Sequence, residues 1–324
     1  MKANVVRVHE CGGPEVLKWE TDELAAPGAG EVLVRNRAIG LNFLDVYYRT
    51  GRYKARLPFV PGNEGAGVVE AVGPDVKDFQ VGDRVAYVDP LGAYADVLIR
   101  PASRLVKLPE GIDEVQAAGM MLKGMTAEYL LHRTYRVSAG ETILVHAAAG
   151  GVGQILCQWA SNLGAIVIGT VGCRDKAALA EQAGCVHVIV REEEDFVEAV
   201  RRITEGERVR VVYDGIGADT FRGSIDCLAP RGMLVAYGQS SGPIPPFDTQ
   251  VLSFKGSLYL TRPGLFHYTS TTDELRQSAA RLFEAVRRGA VKIKVNRTYP
   301  LREAAAAHRD LEARKLTGST VLLP

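Results

Sequence analysis

Apolar and polar positions alternate along four short runs near the N-terminus, at residues 4–8, 31–39, 66–72 and 84–87. Successive side chains of a strand point to opposite faces, so this period of two predicts half-buried β-strands. Between the runs stand Gly12-Gly13-Pro14, Pro27-Gly28, Pro61-Gly62, Gly73-Pro74 and Gly82-Asp83, which mark turns. Residues 1 to about 110 therefore read as an irregular β unit.

The texture changes after Glu114. Apolar, β-branched runs at 142–146, 166–170, 186–190, 209–213 and 233–237 alternate with helical patterns at 151–163, 175–183, 192–204 and 219–228. Uniformly apolar strands alternating with helices predict a doubly wound parallel sheet covered on both faces, that is, an α/β Rossmann domain. A sixth strand, the candidate edge of the sheet, is expected at 256–261. Beyond Pro263 the pattern gives a helix at 272–288, a strand at 291–299, a helix at 301–311 and a strand at 319–323. These last elements are expected to return to the first β unit, which would make that domain discontinuous: 1–122 with 264–324, around 123–263.

Composition changes this picture only by exclusion. Thirty-nine basic and thirty-eight acidic residues give a net charge of +1, so no overall field draws the chain to nucleic acid or anionic lipid. Residues 142–173 carry no Asp, Glu, Lys or Arg, but glycines and amides interrupt them where a membrane span needs ~20 predominantly apolar residues. The first twenty residues contain no uninterrupted apolar stretch of the kind a secretory signal needs. Five scattered cysteines without a C-x-x-C pair fit reduced thiols, and a cytoplasmic location is expected.

The chemistry concentrates after the strand at 142–146. There Ala147-Ala148-Ala149-Gly150-Gly151-Val152-Gly153 opens a helix, and against G-x-G-x-x-G, Ala148 replaces the first glycine while Gly150 and Gly153 hold the second and third. The second glycine lets backbone approach a pyrophosphate, the third lets helix pack on strand, and the helix N-terminus offers N–H donors and a partial positive charge. The strand-to-helix context is the one a dinucleotide site requires. At the end of the next strand an acid would bind the ribose 2′-hydroxyl of NAD, but Gly172 stands there, so NADPH is preferred. Lys176 and Arg191 are the cations expected near the 2′-phosphate, with Arg174 as a competitor.

These residues resemble the zinc-independent branch of the medium-chain dehydrogenase/reductase superfamily, and within it the bacterial NADPH:quinone oxidoreductases related to zeta-crystallin. Beyond Gly140–Gly153, the likeness is carried by Gly12-Gly13-Pro14-Glu15-Val16-Leu17, Gly40-Leu41-Asn42-Phe43-Leu44-Asp45, Gly62-Asn63-Glu64-Gly65, Val81-Gly82-Asp83-Arg84-Val85 and Lys123-Gly124-Met125-Thr126. Val212-Tyr213-Asp214, Gly256-Ser257-Leu258-Tyr259 and Gly318-Ser319 extend it along the chain. The resemblance implies a GroES-like, mainly β catalytic domain built from both chain ends, a Rossmann domain inserted between them, and a homodimer joined through the edge strand at 256–261. Zinc-dependent relatives carry a cysteine and a histidine where this chain has Asn42 and Asn63, and an amide is not a usual zinc ligand. No metal is expected.

For the reaction, the resemblance implies NADPH-dependent reduction of a quinone, by hydride or single-electron transfer, with reduction of an enone or enoyl thioester as the alternative. A non-catalytic structural or RNA-binding role is the alternative of another class. Asn42 and Asp45 would lie at the nicotinamide side of the cleft, with Tyr47 and Tyr53 as aromatic walls or phenol donors. The residue types also allow a blander reading, in which the tyrosines only pack, Asn42 is a turn amide satisfying the backbone and Asp45 is a helix N-terminal residue. Thr126 would approach the nicotinamide ribose, Gly238, Gln239 and Ser240 would line the cofactor, and Arg314 could reach back to it. His146 reads as a packed, hydrogen-bonded strand terminus. The role of Glu64 is left open, and Lys123 either approaches the cofactor or faces solvent.

Overall fold

The computed structural model describes residues 1–324 and divides into two compact units. The first comprises 1–125, 269–287 and 293–324; the second comprises 126–268 and 288–292. The chain begins with β1 (Lys2–Val8), β2 (Leu17–Glu23) and β3 (Glu31–Gly40), then α1 (Phe43–Arg49), β4 (Glu64–Val72), β5 (Arg84–Val88), β6 (Val97–Pro101) and β7 (Leu105–Lys107). Two short helices follow, α2 (Glu114–Ala118) and α3 (Met121–Tyr129).

The second unit contains β8 (Thr142–Val145), α4 (Gly151–Asn162), β9 (Ile166–Val171), α5 (Ala177–Gln182), β10 (His187–Val190), α6 (Phe196–Ile203), β11 (Val209–Asp214), α7 (Phe221–Asp226), β12 (Leu228–Ala236), α8 (Gln250–Phe254), β13 (Tyr259–Thr261) and α9 (Leu265–Tyr268). Its six strands are all parallel, in the order β10-β9-β8-β11-β12-β13. This is the doubly wound α/β fold, and the strand order reverses between β8 and β11, where such sheets bind their ligands. Ile143, Leu144, Val145, Val167, Ile168, Val211 and Val212 are fully buried, which accounts for the uniformly apolar strands.

The chain then forms α10 (Thr272–Arg287), β14 (Val295–Pro300), α11 (Ala304–Glu312) and β15 (Ser319–Leu323). β15 pairs antiparallel with β3, Val321 opposite Gly40, so the C-terminal segment joins the N-terminal strands in a mixed seven-stranded sheet, β14-β15-β3-β4-β5-β7, with β6 branching from β3. The core of this GroES-like, mainly β unit joins Val32, Val34, Ile39 and Val85 to Leu301 and Leu322.

Several elements depart from the sequence pattern for identifiable reasons. The expected strand at 256–261 shortens to Tyr259–Thr261 because Gly256 and Ser257 both have positive φ in a turn closing α8, where Ser257 N donates to Ser253 O. β13 remains the edge of its sheet. The helix expected from 192 starts at Phe196, since the Asp195 carboxylate caps it by accepting from Val197 N and Glu198 N. The strand expected from 291 starts at Val295. β2, β6 and β7 were not among the expected strands.

Candidate active site

The fingerprint loop lies at the reversal point of the six-stranded sheet. Ala147 has positive φ, and Gly150 caps α4 with extended backbone and no side-chain acceptor, so the first-turn amides of α4 are left for a ligand. A Cβ on Gly153 would overlap the Ala147 carbonyl oxygen; only glycine lets the helix come this close to the loop. Ala148 is fully buried and its N–H donates to Thr170 O at 2.9 Å, tying the loop to β9. Gly150, Gly151 and Val152 are half-buried.

At the end of β9, a Cβ placed on Gly172 would meet nothing within 4 Å. Lys176 and Arg191 are half-buried, Lys176 capping α5 and Arg191 just past β10, whereas Arg174 is exposed and paired with Glu193. The cradle and this open, acid-free strand end fit a phosphorylated dinucleotide. On the other side of the reversal, Gly238, Gln239 and Ser240 follow β12, with Gly238 N donating to Asp214 O and Ser240 N to Gly215 O, both at 3.2 Å. Arg262, absent from the expected site, bridges the same turn by donating to Ala236 O and Gly238 O at 2.8 and 3.0 Å.

Beneath the loop runs a fully buried polar chain. His146 contacts Thr170 Oγ1 through Nδ1 at 2.9 Å and Ser224 Oγ through Nε2 at 3.0 Å, and Ser224 donates to Asp214 Oδ2 at 3.0 Å. Asp214 Oδ1 accepts from Ile216 N and Gly217 N, fixing the turn after β11. Burial pushes the His146 imidazole down to about 4. It is the packed strand terminus that its position implies.

In the first unit the residues around α1 form a second polar cluster. Asn42 caps α1: its N–H donates to Asp45 Oδ2 at 2.8 Å, and Asp45 N donates back to Asn42 O at 3.1 Å. The Asn42 amide nitrogen donates to Glu64 Oε1 at 2.7 Å. That oxygen also accepts from Lys123 Nζ at 2.9 Å, while Leu122 N donates to Glu64 Oε2 at 2.6 Å. Glu64 is fully buried, and a Cβ on Gly40 would collide with its carboxylate, so Gly40 makes its room. Lys123 is 5% exposed and does not face solvent.

Asp45 is fully buried and accepts on Oδ2 from the Tyr94 hydroxyl at 2.9 Å; the Asn63 amide, oriented so that its oxygen accepts from Leu91 N, brings its nitrogen to Asp45 Oδ1 at 2.7 Å. Burial raises its carboxyl to about 7 despite these donors. Tyr94 OH in turn meets His308 Nε2 at 3.0 Å, His308 Nδ1 meets Arg49 Nη1 at 3.0 Å, and Arg49 forms a two-pronged pair with Glu312 at 2.8 Å. Sequence reasoning named neither Tyr94, His308 nor Arg49.

The tyrosines stand beside this cluster. The Tyr47 and Tyr53 rings are 5.4 Å apart, Tyr53 N donates to Tyr47 O at 2.9 Å, and the Arg52 guanidinium lies 5.2 Å from the Tyr47 ring centre. Thr126 is buried on α3. Arg314 is exposed in the turn after α11, with positive φ. Thus Asn42, Asp45, Tyr47 and Tyr53 come together in the first unit, and the fingerprint, Gly172, Lys176, Arg191 and residues 238–240 in the second; Arg314 belongs to the first unit.

Residues 28–139 match the alcohol dehydrogenase GroES-like domain and residues 151–284 the zinc-binding dehydrogenase family. A GroES-like unit combined with a Rossmann sheet carrying this fingerprint defines a medium-chain dehydrogenase/reductase. The chain is 53% identical to a quinone oxidoreductase of Pseudomonas aeruginosa over 97% of both chains, and 49% identical to a 2-haloacrylate reductase of Burkholderia sp over 98% of both. It matches the crystal structure of Escherichia coli quinone oxidoreductase complexed with NADPH with a TM-score of 0.97 and 46% identity, covering 99% of this chain and 100% of that one. The chain belongs to the quinone oxidoreductase family.

Proposed function

We propose that this protein reduces quinones with NADPH and without a metal. The observation that carries the reading is the use made of Asn42 and Asn63: the Asn42 amide nitrogen points at the Glu64 carboxylate at 2.7 Å, and the Asn63 amide, oriented so that both its ends are satisfied, turns its nitrogen to Asp45 Oδ1 at 2.7 Å. Donor groups turned inward do not offer a metal the lone pairs that thiolate and imidazole would. Bound NADPH supplies a hydride from its nicotinamide C4. Quinones are already electrophilic, so positioning and a few donors carry much of the remaining work.

In this reading 1–122 and 264–324 make the catalytic domain and 123–263 binds the cofactor. The first turn of α4, with Ala148, Gly150, Gly151, Val152 and Gly153, holds the pyrophosphate, and Lys176 and Arg191 hold the 2′-phosphate in the space beside Gly172. Thr126, residues 238–240 and Arg314 contact the cofactor. Tyr47 and Tyr53 wall the acceptor, and Asn42 orients it. Asp45, having no exposed surface, acts by fixing Asn42 and Asn63. The edge strand β13, with Tyr259 58% exposed and the neighbouring Phe254 81% exposed, supports pairing of two copies. In this reading the protein works in the cytoplasm, whose reducing conditions suit five unpaired cysteines.

Reduction of a conjugated carbonyl is the second reading, favoured by the likeness to the Burkholderia 2-haloacrylate reductase. Purified protein should oxidise NADPH only when an acceptor is added. Side-by-side rates with benzoquinone, naphthoquinone, an alkenal and crotonyl-CoA rank the two readings. Tight NADPH binding without turnover across that panel would overturn both and favour a non-catalytic role.

A further inference from the structure

Lys123 carries a charge that its surroundings do not fully use. It is 5% exposed, its ammonium has three N–H donors, and Glu64 Oε1 at 2.9 Å is the acceptor it meets. Two donors of a buried cation are therefore unspent, although buried polar groups are almost always satisfied. The acceptor it does meet is shared: Glu64 Oε1 also takes the Asn42 amide, which brings the ammonium beside the side chain that the proposed function assigns to the reacting molecule. Glu64 accepts from Lys123 and Asn42 on Oε1 and from Leu122 N on Oε2, so it anchors the ammonium by one N–H and leaves the other two to an incoming oxygen.

We propose that Lys123 is a catalytic residue that donates a hydrogen bond, and then a proton, to the acceptor oxygen. The inference rests on the NADPH-dependent reading above. A hydride leaves NADPH with both electrons of its C4–H bond and forms a new bond on the acceptor, while the electron pair displaced in the acceptor comes to rest on its oxygen. That oxygen takes a proton from Lys123 Nζ: the N–H bond breaks, an O–H bond forms, and Lys123 is left as a neutral amine. A proton from water restores the ammonium. The net change is one NADPH and one proton consumed per two-electron reduction.

The demand for this proton depends on the acceptor. An enolate oxygen is far more basic than a hydroquinone anion, so an enone or a haloacrylate should lean on Lys123 more heavily than a quinone. Lys123→Arg is the sharpest variant, because a guanidinium keeps the charge and the bond to Glu64 but does not release a proton at working pH. For Lys123→Arg, kcat on an enone should fall on the order of a hundredfold, within the range of general acid catalysis, with a smaller loss on benzoquinone and little change in NADPH affinity. Equal losses on both acceptors, or none, would overturn the assignment.

A second measurement avoids turnover altogether. In the wild-type protein para-nitrophenol should bind as its coloured phenolate, because the ammonium stabilises the anionic oxygen; Lys123→Arg should preserve that absorbance change and the double variant Lys123→Met, Glu64→Gln, which removes both buried charges together, should abolish it. A phenolate band that survives in the double variant overturns the role. Wild-type protein that fails to oxidise NADPH with any acceptor overturns the functional reading instead, and the nitrophenol result then judges the Lys123 donor by itself.

Discussion

The Tyr94 hydroxyl donates to Asp45 Oδ2 at 2.9 Å with both side chains fully buried, and it is the contact through which the C-terminal helix α11 reaches the cap of α1. Tyr94 donates to Asp45 when His308 donates Nε2–H to the Tyr94 oxygen, which requires His308 Nδ1 to accept from Arg49. The Arg49 guanidinium can only donate, so it sets the direction of the whole chain.

Asp45→Asn tests the charge at the end of this chain. The folded carboxyl is raised to about 7, chiefly by burial, from an ordinary value of 3.8. A raised pKa means that this group favours the fold fully below the ordinary value, and that the contribution is lost as pH rises through about 7. Wild-type protein should therefore lose stability relative to Asp45→Asn as pH rises from about 4 to about 7. Urea midpoints across this range check it; parallel curves for the two proteins would show that Asp45 does not titrate there.

Gly172→Asp should convert the cofactor preference. A side chain at Gly172 has open space, and an acid at the end of β9 would accept from a ribose 2′-hydroxyl and repel a 2′-phosphate. The expected change is a loss in NADPH affinity of roughly ten- to a hundredfold, about 1.4 kcal/mol for each factor of ten, with NADH affinity held or improved. Titration of each cofactor by fluorescence reads this directly, and an equal weakening of both would place the 2′-phosphate elsewhere.

Lys176→Ala makes the complementary cut. Losing one charge-assisted contact to the 2′-phosphate should raise the NADPH dissociation constant about tenfold, for roughly 1.5 kcal/mol, and barely touch NADH. Arg174→Ala should do little to either cofactor, since Arg174 is exposed and paired with Glu193. Equal losses for NADPH and NADH in Lys176→Ala would remove Lys176 from the site.

How much of this was legible in the sequence depends on the range of the interaction. The alternation of apolar strands and helices from Thr142 onward is a local signal, and so is the run from Ala147 to Gly153; both place the cofactor half of the site. β2 escaped because its sequence Lys18-Trp19-Glu20-Thr21-Asp22-Glu23 is polar apart from Trp19, which is exposed, and only Leu17 in the strand is buried. The chain from Asp45 to Arg49 is not local: Tyr94 lies 49 residues from Asp45, His308 lies 214 from Tyr94, and Arg49 lies 259 from His308. Nothing near His308 in sequence announces a partner, and it is buried on α11, whose Ala304 and Ala307 join the core of the N-terminal strands with Val5, Val16 and Leu17. Glu64 and Lys123 were visible as residues, but their pairing across 59 positions was not.

His308 provides the strictest test of the buried chain, because two substitutions there should act in different ways. Burial, aided by the Arg49 charge, pushes its imidazole down to about 3 from 6.5. A depressed histidine favours the fold fully above its ordinary value, and the contribution is lost as pH falls through the folded value, because the unfolded chain takes up the proton first. His308→Gln supplies one acceptor and one donor in a similar space, so it should keep most of the stability at neutral pH while removing the His308 share of the loss between about pH 6.5 and about pH 3. His146, held down to about 4, keeps its own share in that variant, so the acid limb becomes shallower without disappearing. His308→Phe leaves Arg49 Nη1 with Glu312 alone and withdraws the donor from Tyr94, which should cost on the order of 2 kcal/mol at every pH. Denaturant midpoints for the three proteins, taken from acid to neutral pH, check both expectations; a Gln variant as unstable as the Phe variant would mean that the ring's packing, rather than its hydrogen bonds, holds α11 to the cap of α1.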